Sequence, residues 1–334
     1  MGENNRTLVV QTSFIGDMVL TTPLFEYLDR IGRKPDVLAT PGNAALIRGH
    51  PHVRDVVVYD KRGKDRGLAG FSRIGRELRK RKYTTAYFAQ GSMRSAALGV
   101  VAGIGERVGF DTSAGRRLYN HVRPYDETRH HADRLLSLAI ADARADRPLL
   151  APGDAERREV DSLFQQHGYE GEPLVALAPG SIWGTKRWPL YAELAGNLSK
   201  QFRLLIIGGK DDGKLAEAIV ARAGNSIDAT GKLSLLASAE AIARCVAIVT
   251  NDSAPQHLAS AVGTPTVAIF GPTVPEFGFG PLAPSREVLG INSLPCRPCD
   301  RHGPQECPLG HWRCMREIDV QRVRDSVERI IARS

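Results

Sequence analysis

No run of apolar residues in this 334-residue chain approaches the roughly 18–20 that a spanning helix requires, so a helical membrane protein is not expected. A secretory leader is not expected either. The first residues, MGENNR, are polar and lead straight into a short apolar stretch, and Thr7 falls one position too late after Gly2 for the myristoylation pattern. Phosphate-binding glycine loops are also missing. No G-x-G-x-x-G follows the first apolar stretch and no G-x-x-x-x-G-K-[ST] occurs, which weakens a dinucleotide enzyme or a P-loop NTPase. Cysteines number only five and are not spread as a disulfide framework: four fall within Cys296–Cys314, and Cys245 sits alone among apolar residues, as a core residue does. These absences point to a cytoplasmic protein.

What is present is a globular balance, 42% apolar and 25% charged residues, over a length that suits two domains of about 150 residues. Lysine and arginine exceed the acidic residues by 8. That surplus favours an acidic partner, whether nucleic acid, an anionic membrane surface or a phosphorylated substrate, although a solvated basic face produces it equally. Short apolar segments alternate with amphipathic ones. In the first half the predicted strands are Thr7–Gln11, Asp36–Thr40, Val53–Asp60 and Thr85–Gln90, with helices Met18–Arg30, Asn43–Arg48, Ala69–Arg81, Ser92–Val101 and Leu135–Ala143. In the second half the predicted strands are Leu174–Ala178, Phe202–Ile207, Ile227–Ala229, Val246–Thr250 and Thr266–Phe270, and a helix Asp319–Ala332 closes the chain. Such alternation predicts α/β architecture with parallel sheets. A Pro- and charge-rich linker near Arg147–Asp154 divides the chain into domains 1–150 and 151–334.

In open α/β sheets ligands bind where strand C-termini meet helix N-termini. Asn251, Asp252 and Ser253 fall at such a point. Ser253 is placed to cap the following helix and leave N–H groups for an anion, Asp252 to take hydroxyls, and His257 lies one turn further along. The alternative is an ordinary strand-turn-helix. This turn resembles the nucleotide-sugar site of glycosyltransferase family 9, the ADP-heptose:lipopolysaccharide heptosyltransferases, whose pattern reads roughly T/S-x-D-T/S-G-x-x-H-x-x-A. Asp252, Ser253, His257 and Ala261 match, while Ala254 stands where the family usually has glycine. Two further stretches carry the resemblance. Ser13, Ile15, Gly16, Asp17 and Pro23 match S-x-I-G-D-x-x-x-x-x-P, and Pro179-Gly180-Ser181 through Lys186-Arg187-Trp188-Pro189 matches P-G-[AS]-x-x-x-x-K-R-W-P.

The resemblance, closest to heptosyltransferase II, implies a GT-B fold of two Rossmann-like domains facing across a cleft. The N-terminal domain would take the acceptor and the C-terminal one the donor. The reaction it implies is inverting transfer of heptose from ADP-heptose to the inner core of lipopolysaccharide, on a lipid A-core acceptor at the inner membrane surface. Asp17 would be the general base; otherwise it is only a helix cap. Ser181 and Lys186 would hold the diphosphate and neutralise departing ADP without a metal ion, so no cofactor is required for catalysis. Asp212 would meet the nucleotide ribose, unless it is a helix-start carboxylate favoured by the macrodipole, and Leu233 would lie near the base. The protein would be cytoplasmic and peripheral to the inner membrane.

Arg73, Arg76, Arg79 and Lys80 form one basic cluster and Arg116-Arg117 another; either meets acceptor phosphates or is simply solvated. Cys296, Cys299, Cys307 and Cys314, within a Cys-rich loop over 295–315, are spaced C-x2-C-x7-C-x6-C, which reads as structural zinc, as packed reduced thiols, or as an iron–sulfur cluster. His130, His131 and Asp133 are better accounted for by a helix N-terminus than by a metal. Two rival functions are weighed: a GT-B nucleotide-sugar epimerase or hydrolase, and a zinc-containing nucleic-acid-binding module. Against the latter, basic residues are dispersed over both halves, so no nucleic acid is expected.

Overall fold

The structure, a computed structural model, describes residues 6–333; the polar stretch containing Gly2 lies outside the described residues. The chain forms two compact units, Met1–Ala151 and Pro152–Ser334. No helix among the described residues is long and apolar enough to cross a membrane.

In the first unit the elements run β1 (Thr7–Gln11), α1 (Ile15–Arg30), β2 (Asp36–Ala39), α2 (Pro41–Ile47), β3 (Asp55–Val58), α3 (Gly67–Lys80), β4 (Thr85–Phe88), α4 (Met93–Val101), β5 (Glu106–Phe110), β6 (His121–Arg123) and α5 (His131–Ser137). The second unit runs α6 (Asp154–Gln166), β7 (Leu174–Ala178), α7 (Tyr191–Leu198), β8 (Arg203–Ile206), α8 (Gly213–Ala223), β9 (Ser226–Asp228), α9 (Leu235–Ala243), β10 (Ala247–Asn251), α10 (Ala254–Val262), β11 (Thr266–Ile269), β12 (Arg286–Leu289), α11 (Arg313–Arg316) and α12 (Val320–Ala332).

Both sheets are parallel and share one winding. The orders are β3-β2-β1-β4-β5-β6 and β12-β11-β10-β7-β8-β9, so in each unit the first strand pairs with the second and the fourth. The central strands read as continuous apolar runs because both faces are covered by helices; every residue of β1, β7 and β10 is buried. Each sheet has its own core, around Leu8, Leu38, Ile74 and Phe88 in the first unit and around Val175, Leu204, Val249 and Val327 in the second.

This winding fixes where ligands go. The chain leaves neighbouring strands in opposite directions between β1 and β4, and again between β7 and β10, opening a crevice at those carboxyl ends. A side-chain amide spans each crevice. Asn251 at the end of β10 donates to the Pro179 carbonyl beyond β7 at 2.8 Å, and Gln90 beyond β4 donates to Thr12 Oγ1 beyond β1 at 2.6 Å.

Several elements differ from the sequence expectation. α1 begins at Ile15, three residues early, and tolerates Pro23 inside it because Thr22 Oγ1 donates to the Val19 carbonyl (2.8 Å), the acceptor that a residue-23 N–H would have used. α5 begins at His131 and ends at Ser137 rather than covering Leu135–Ala143; the apolar pattern continues, but the chain turns away and Asp142 takes a left-handed φ of 55°. β5 and the edge strands β6 and β12 were not expected at all.

Candidate active site

In the second unit, the turn after β7 and the turn after β10 bring two expected residues together, Lys186 and Asp252. A 3₁₀ turn, Gly184–Lys186, carries Lys186 inward, where its Nζ donates to Asp252 Oδ2 at 2.6 Å; each side chain is only 10% exposed. Thr273 Oγ1 donates to the same oxygen at 2.6 Å, and Gln256 Nε2 donates to Asp252 Oδ1 at 3.0 Å. Asp252 is therefore corrected from a free hydroxyl acceptor to the anchor that orients Lys186, because three donors already occupy its two oxygens. Thr273 and Gln256 had not been singled out. Their only sequence signal is position, one following the apolar strand β11 and the other one helical turn beyond Asp252.

Ser253 stands at the N-cap of α10 with extended backbone, but its hydroxyl donates to the Asn251 carbonyl at 3.4 Å. It makes no side-chain cap, which corrects the expected capping bond; in that first turn Pro255 has no N–H and Gln256 N–H donates to the Ser253 carbonyl (3.2 Å), so the Ala254 N–H is the one left to other acceptors. Ala254 opens the helix, and His257 is buried one turn on. Ser181 accepts from the Trp183 N–H (3.3 Å), and Arg187 Nε donates to the Ser181 carbonyl, so the turn is tied to itself. Trp188 pins it below: its backbone N–H donates to Asn251 Oδ1 and its indole N–H to the Ile318 carbonyl.

Asp212 closes a short 3₁₀ turn and its carboxylate accepts the Gly209 N–H at 2.9 Å. It packs so tightly against the β7 turn that a Cβ on Gly180 would lie 2.3 Å from its Oδ2. Glycine at 180 is thus the residue that admits Asp212. Leu233 sits half-buried between β9 and α9.

In the first unit Asp17 occupies the first turn of α1 and accepts the backbone N–H of Phe14, half of a capping box. It is 20% exposed at the side chain, and burial pushes its carboxyl up to about 6. The turn leading to it is held firmly. Ser13 N–H donates to Gln11 Oε1, Asn43 donates to the Ser13 carbonyl, and Lys61 Nζ donates to both the carbonyl and the hydroxyl of Thr12.

The other candidates separate. Arg73 is drawn onto the buried Asp65 through Nε (2.8 Å) and Nη2, and onto Glu77, so its guanidinium is already engaged. Arg76, Arg116 and Arg117 are exposed, the last two on a 3₁₀ turn, Arg116–Leu118. The four-thiolate zinc site is not formed: among the described residues no group of three or more His, Cys, Asp or Glu is placed to hold a metal ion. The reason is local. Cys314 packs in the apolar core, Cys299 turns its thiol to the Cys296 carbonyl, and Cys296 meets His311 Nε2 only at 3.8 Å, although these four and Cys307 border one cleft of about 300 Å³. The loop instead braces the Lys186 turn. Gln305 accepts from the Gly184 N–H and donates to the Ile182 carbonyl (both 3.0 Å), and Thr185 donates to the Pro304 carbonyl.

A doubly wound sheet whose crevice holds a buried lysine beside a helix N-terminus defines an anion-binding α/β enzyme unit. The chain belongs to glycosyltransferase family 9 (heptosyltransferase), whose sequence profile matches residues 71–312. It is 30% identical over 295 residues to lipopolysaccharide heptosyltransferase 2 of Escherichia coli K12, covering 81% of this chain and 84% of that one. Among solved structures, a family 9 glycosyl transferase from Veillonella parvula superposes with a TM-score of 0.88 at 23% identity, over 100% of this chain and 99% of that one. The E. coli ADP-heptose lipopolysaccharide heptosyltransferase II superposes with a TM-score of 0.81 at 25% identity, over 98% and 99%. The two parallel six-stranded sheets are those of the GT-B glycosyltransferases.

Proposed function

We propose that this enzyme transfers heptose from ADP-heptose to the inner core of lipopolysaccharide, with inversion at the anomeric carbon. The donor is held by the second unit and the acceptor by the first. The observation that carries this reading is Lys186, buried, fixed on Asp252 and set beside the open N-terminus of α10. A diphosphate placed there meets a cation and the positive end of α10, where the Ala254 N–H is available because Pro255 has none and Gln256 N–H bonds the Ser253 carbonyl; both attractions strengthen as the leaving group gains charge. That role asks for no metal ion. Ser181, Ala254 and His257 border the same turn pair, Asp212 faces the ribose, and the backbone at Leu233 lies toward the base. Names of relatives agree with the reaction: a 30% identical protein is a lipopolysaccharide heptosyltransferase.

Asp17 is the base that takes the acceptor hydroxyl proton. A carboxyl raised to about 6 stays ionised at neutral pH while being more basic than a solvated one. The acceptor is anionic, and the exposed Arg76, Arg116 and Arg117 suit it, together with the net charge of +8. The enzyme works at the cytoplasmic face of the inner membrane. The test is turnover of ADP-heptose on lipopolysaccharide truncated in its inner core, with and without EDTA. Asp17→Asn should abolish transfer with ADP-heptose affinity within about twofold, and EDTA should leave the parent unchanged. Parental turnover by Asp17→Asn would remove Asp17 as base.

A further inference from the structure

Asp17 is flanked by a relay of side chains with no counterpart in the sequence motif. His131, the first residue of α5 and buried, directs Nε2 to Asp17 Oδ1 at 3.7 Å. On its other side Nδ1 lies 3.4 Å from the hydroxyl of Tyr125. Tyr125 in turn accepts from Arg134 Nη1 at 2.9 Å, and the Arg134 guanidinium lies 4.9 Å from the centre of the Tyr125 ring. Arg134 is 1% exposed and is further fixed by donating to the Glu127 carbonyl at 2.7 Å. α5 is held against α1 as a whole, and Asp133, on its far side, accepts the Ala145 N–H at 2.7 Å. Charged and titratable groups thus meet His131 from three sides: Asp17 from α1, Tyr125 from the segment before α5, and, through Tyr125, Arg134 one turn along α5 itself.

We propose that His131 is the positioning residue for Asp17: a neutral imidazole whose Nε2–H is aimed at Oδ1 by the Arg134–Tyr125 pair. The chemistry selects that tautomer. Arg134 has only protons to give, so the Tyr125 oxygen accepts from it and the phenolic proton is free for Nδ1. The ring proton then sits on Nε2, and a donor there turns the carboxylate so that its remaining lone pairs face the incoming hydroxyl. At 3.7 Å the two groups approach to ion-pair distance, short of a hydrogen bond, and catalytic contacts of this kind tighten in the complex with substrate.

This rests on Asp17 being the base. In the step it serves, the acceptor oxygen bonds to the anomeric carbon of heptose as the bond from that carbon to the diphosphate breaks. The electron pair leaves with ADP and the hydroxyl proton passes to Asp17. His131 gives up no proton; it holds the carboxylate in place and favours its ionised form.

The full-length enzyme tests this with His131→Ala, His131→Gln and Tyr125→Phe, assayed with ADP-heptose and inner-core-truncated lipopolysaccharide, each checked for an unchanged melting temperature. His131→Ala should lower kcat at least tenfold with KM for ADP-heptose within twofold, and should move the acid limb of the kcat profile upward by about one pH unit. The direction follows from losing a donor to the carboxylate, which raises its pKa. His131→Gln, whose amide supplies an N–H, should recover most of the rate, and Tyr125→Phe should lose about threefold or more. A kcat within twofold of parent and an unmoved acid limb in His131→Ala would overturn the proposal, as would equal losses in the Ala and Gln variants. If His131→Ala proves unstable, Tyr125→Phe decides by the same two readouts. Inactive Asp17→Asn beside normal His131→Ala would reject His131 alone, whereas active Asp17→Asn would reject the base assignment beneath it.

Discussion

Asp17, the proposed base, illustrates how burying a carboxyl costs the fold something. Its folded carboxyl titrates near 6 against an ordinary 3.8 because burial disfavours the charge. With the folded value above the unfolded one, its contribution to stability is fully present below about pH 4 and is lost as pH rises through 6. Asp17→Asn should therefore be more stable than the parent at pH 7.5, by up to about 3 kcal/mol, and equal to it near pH 4. Urea unfolding at the two pH values reads this directly, and a less stable Asn variant at pH 7.5 would contradict it. Lys186 behaves in the opposite way. Lys186→Ala strands the buried Asp252, leaving it Thr273 and Gln256 as donors, so stability should fall by about 3 kcal/mol. ADP affinity should fall as well, by roughly the 1.5–3 kcal/mol of a charged hydrogen bond. In the double variant with Asp252→Asn the stability losses should be far from additive, and additive losses would mean the pair is not coupled. From sequence Lys186 and Asp252 are both singled out as candidates, but their pairing is not legible. They stand 66 positions apart, and nothing in either motif says that the carboxylate faces the lysine instead of the ligand.

Helices and strands were legible wherever the local pattern and the tertiary demand agree. β7 and β10 are covered on both faces, so they appear as unbroken apolar runs, and α12 appears as a clean amphipathic helix. β6 lies at the sheet edge with all three residues exposed, and β12 has only Leu289 buried, so neither carries a hydrophobic signal. α1 shows the reverse failure, a local breaker that the fold accommodates. The Thr22 hydroxyl donates to the Val19 carbonyl and accepts the Leu149 N–H at 2.9 Å, so it serves two backbone groups at once. Thr22→Val, nearly the same shape, should strand both and cost about 2–4 kcal/mol. Thermal unfolding of the full-length enzyme measures it, and a loss under about 0.5 kcal/mol would mean that Pro23 is tolerated for some other reason. Gly263 ends α10 with a φ of 85°, and its N–H returns to the Ala259 carbonyl, a stop that the glycine already marked in the sequence.

At the scale of the molecule, the same winding occurs twice with different chemistry at its two crevices. The β1–β4 crevice carries a carboxyl made more basic by burial, whereas the β7–β10 crevice carries a fixed cation and a helix N-terminus. The roles proposed for the two crevices follow these polarities, since a base is a carboxylate of raised pKa and a departing diphosphate is stabilised by positive charge. If the donor belongs to the second unit, ADP binding alone should slow amide hydrogen exchange there and nowhere in α1. The expected protection covers the turn Ser181–Arg187 and the entry to α10 at Ser253 and Ala254, where an N–H group gains an acceptor and local opening is suppressed. The stretch carrying Gln305 should follow, because it is bonded to the Lys186 turn at Gly184 and Ile182. Gln305→Ala should erase the protection at 182–186 while leaving that at α10, which separates the brace from the binding site itself. Protection by ADP centred on residues 15–30, with none at 181–187, would place the nucleotide in the first unit and reverse the assignment of donor and acceptor.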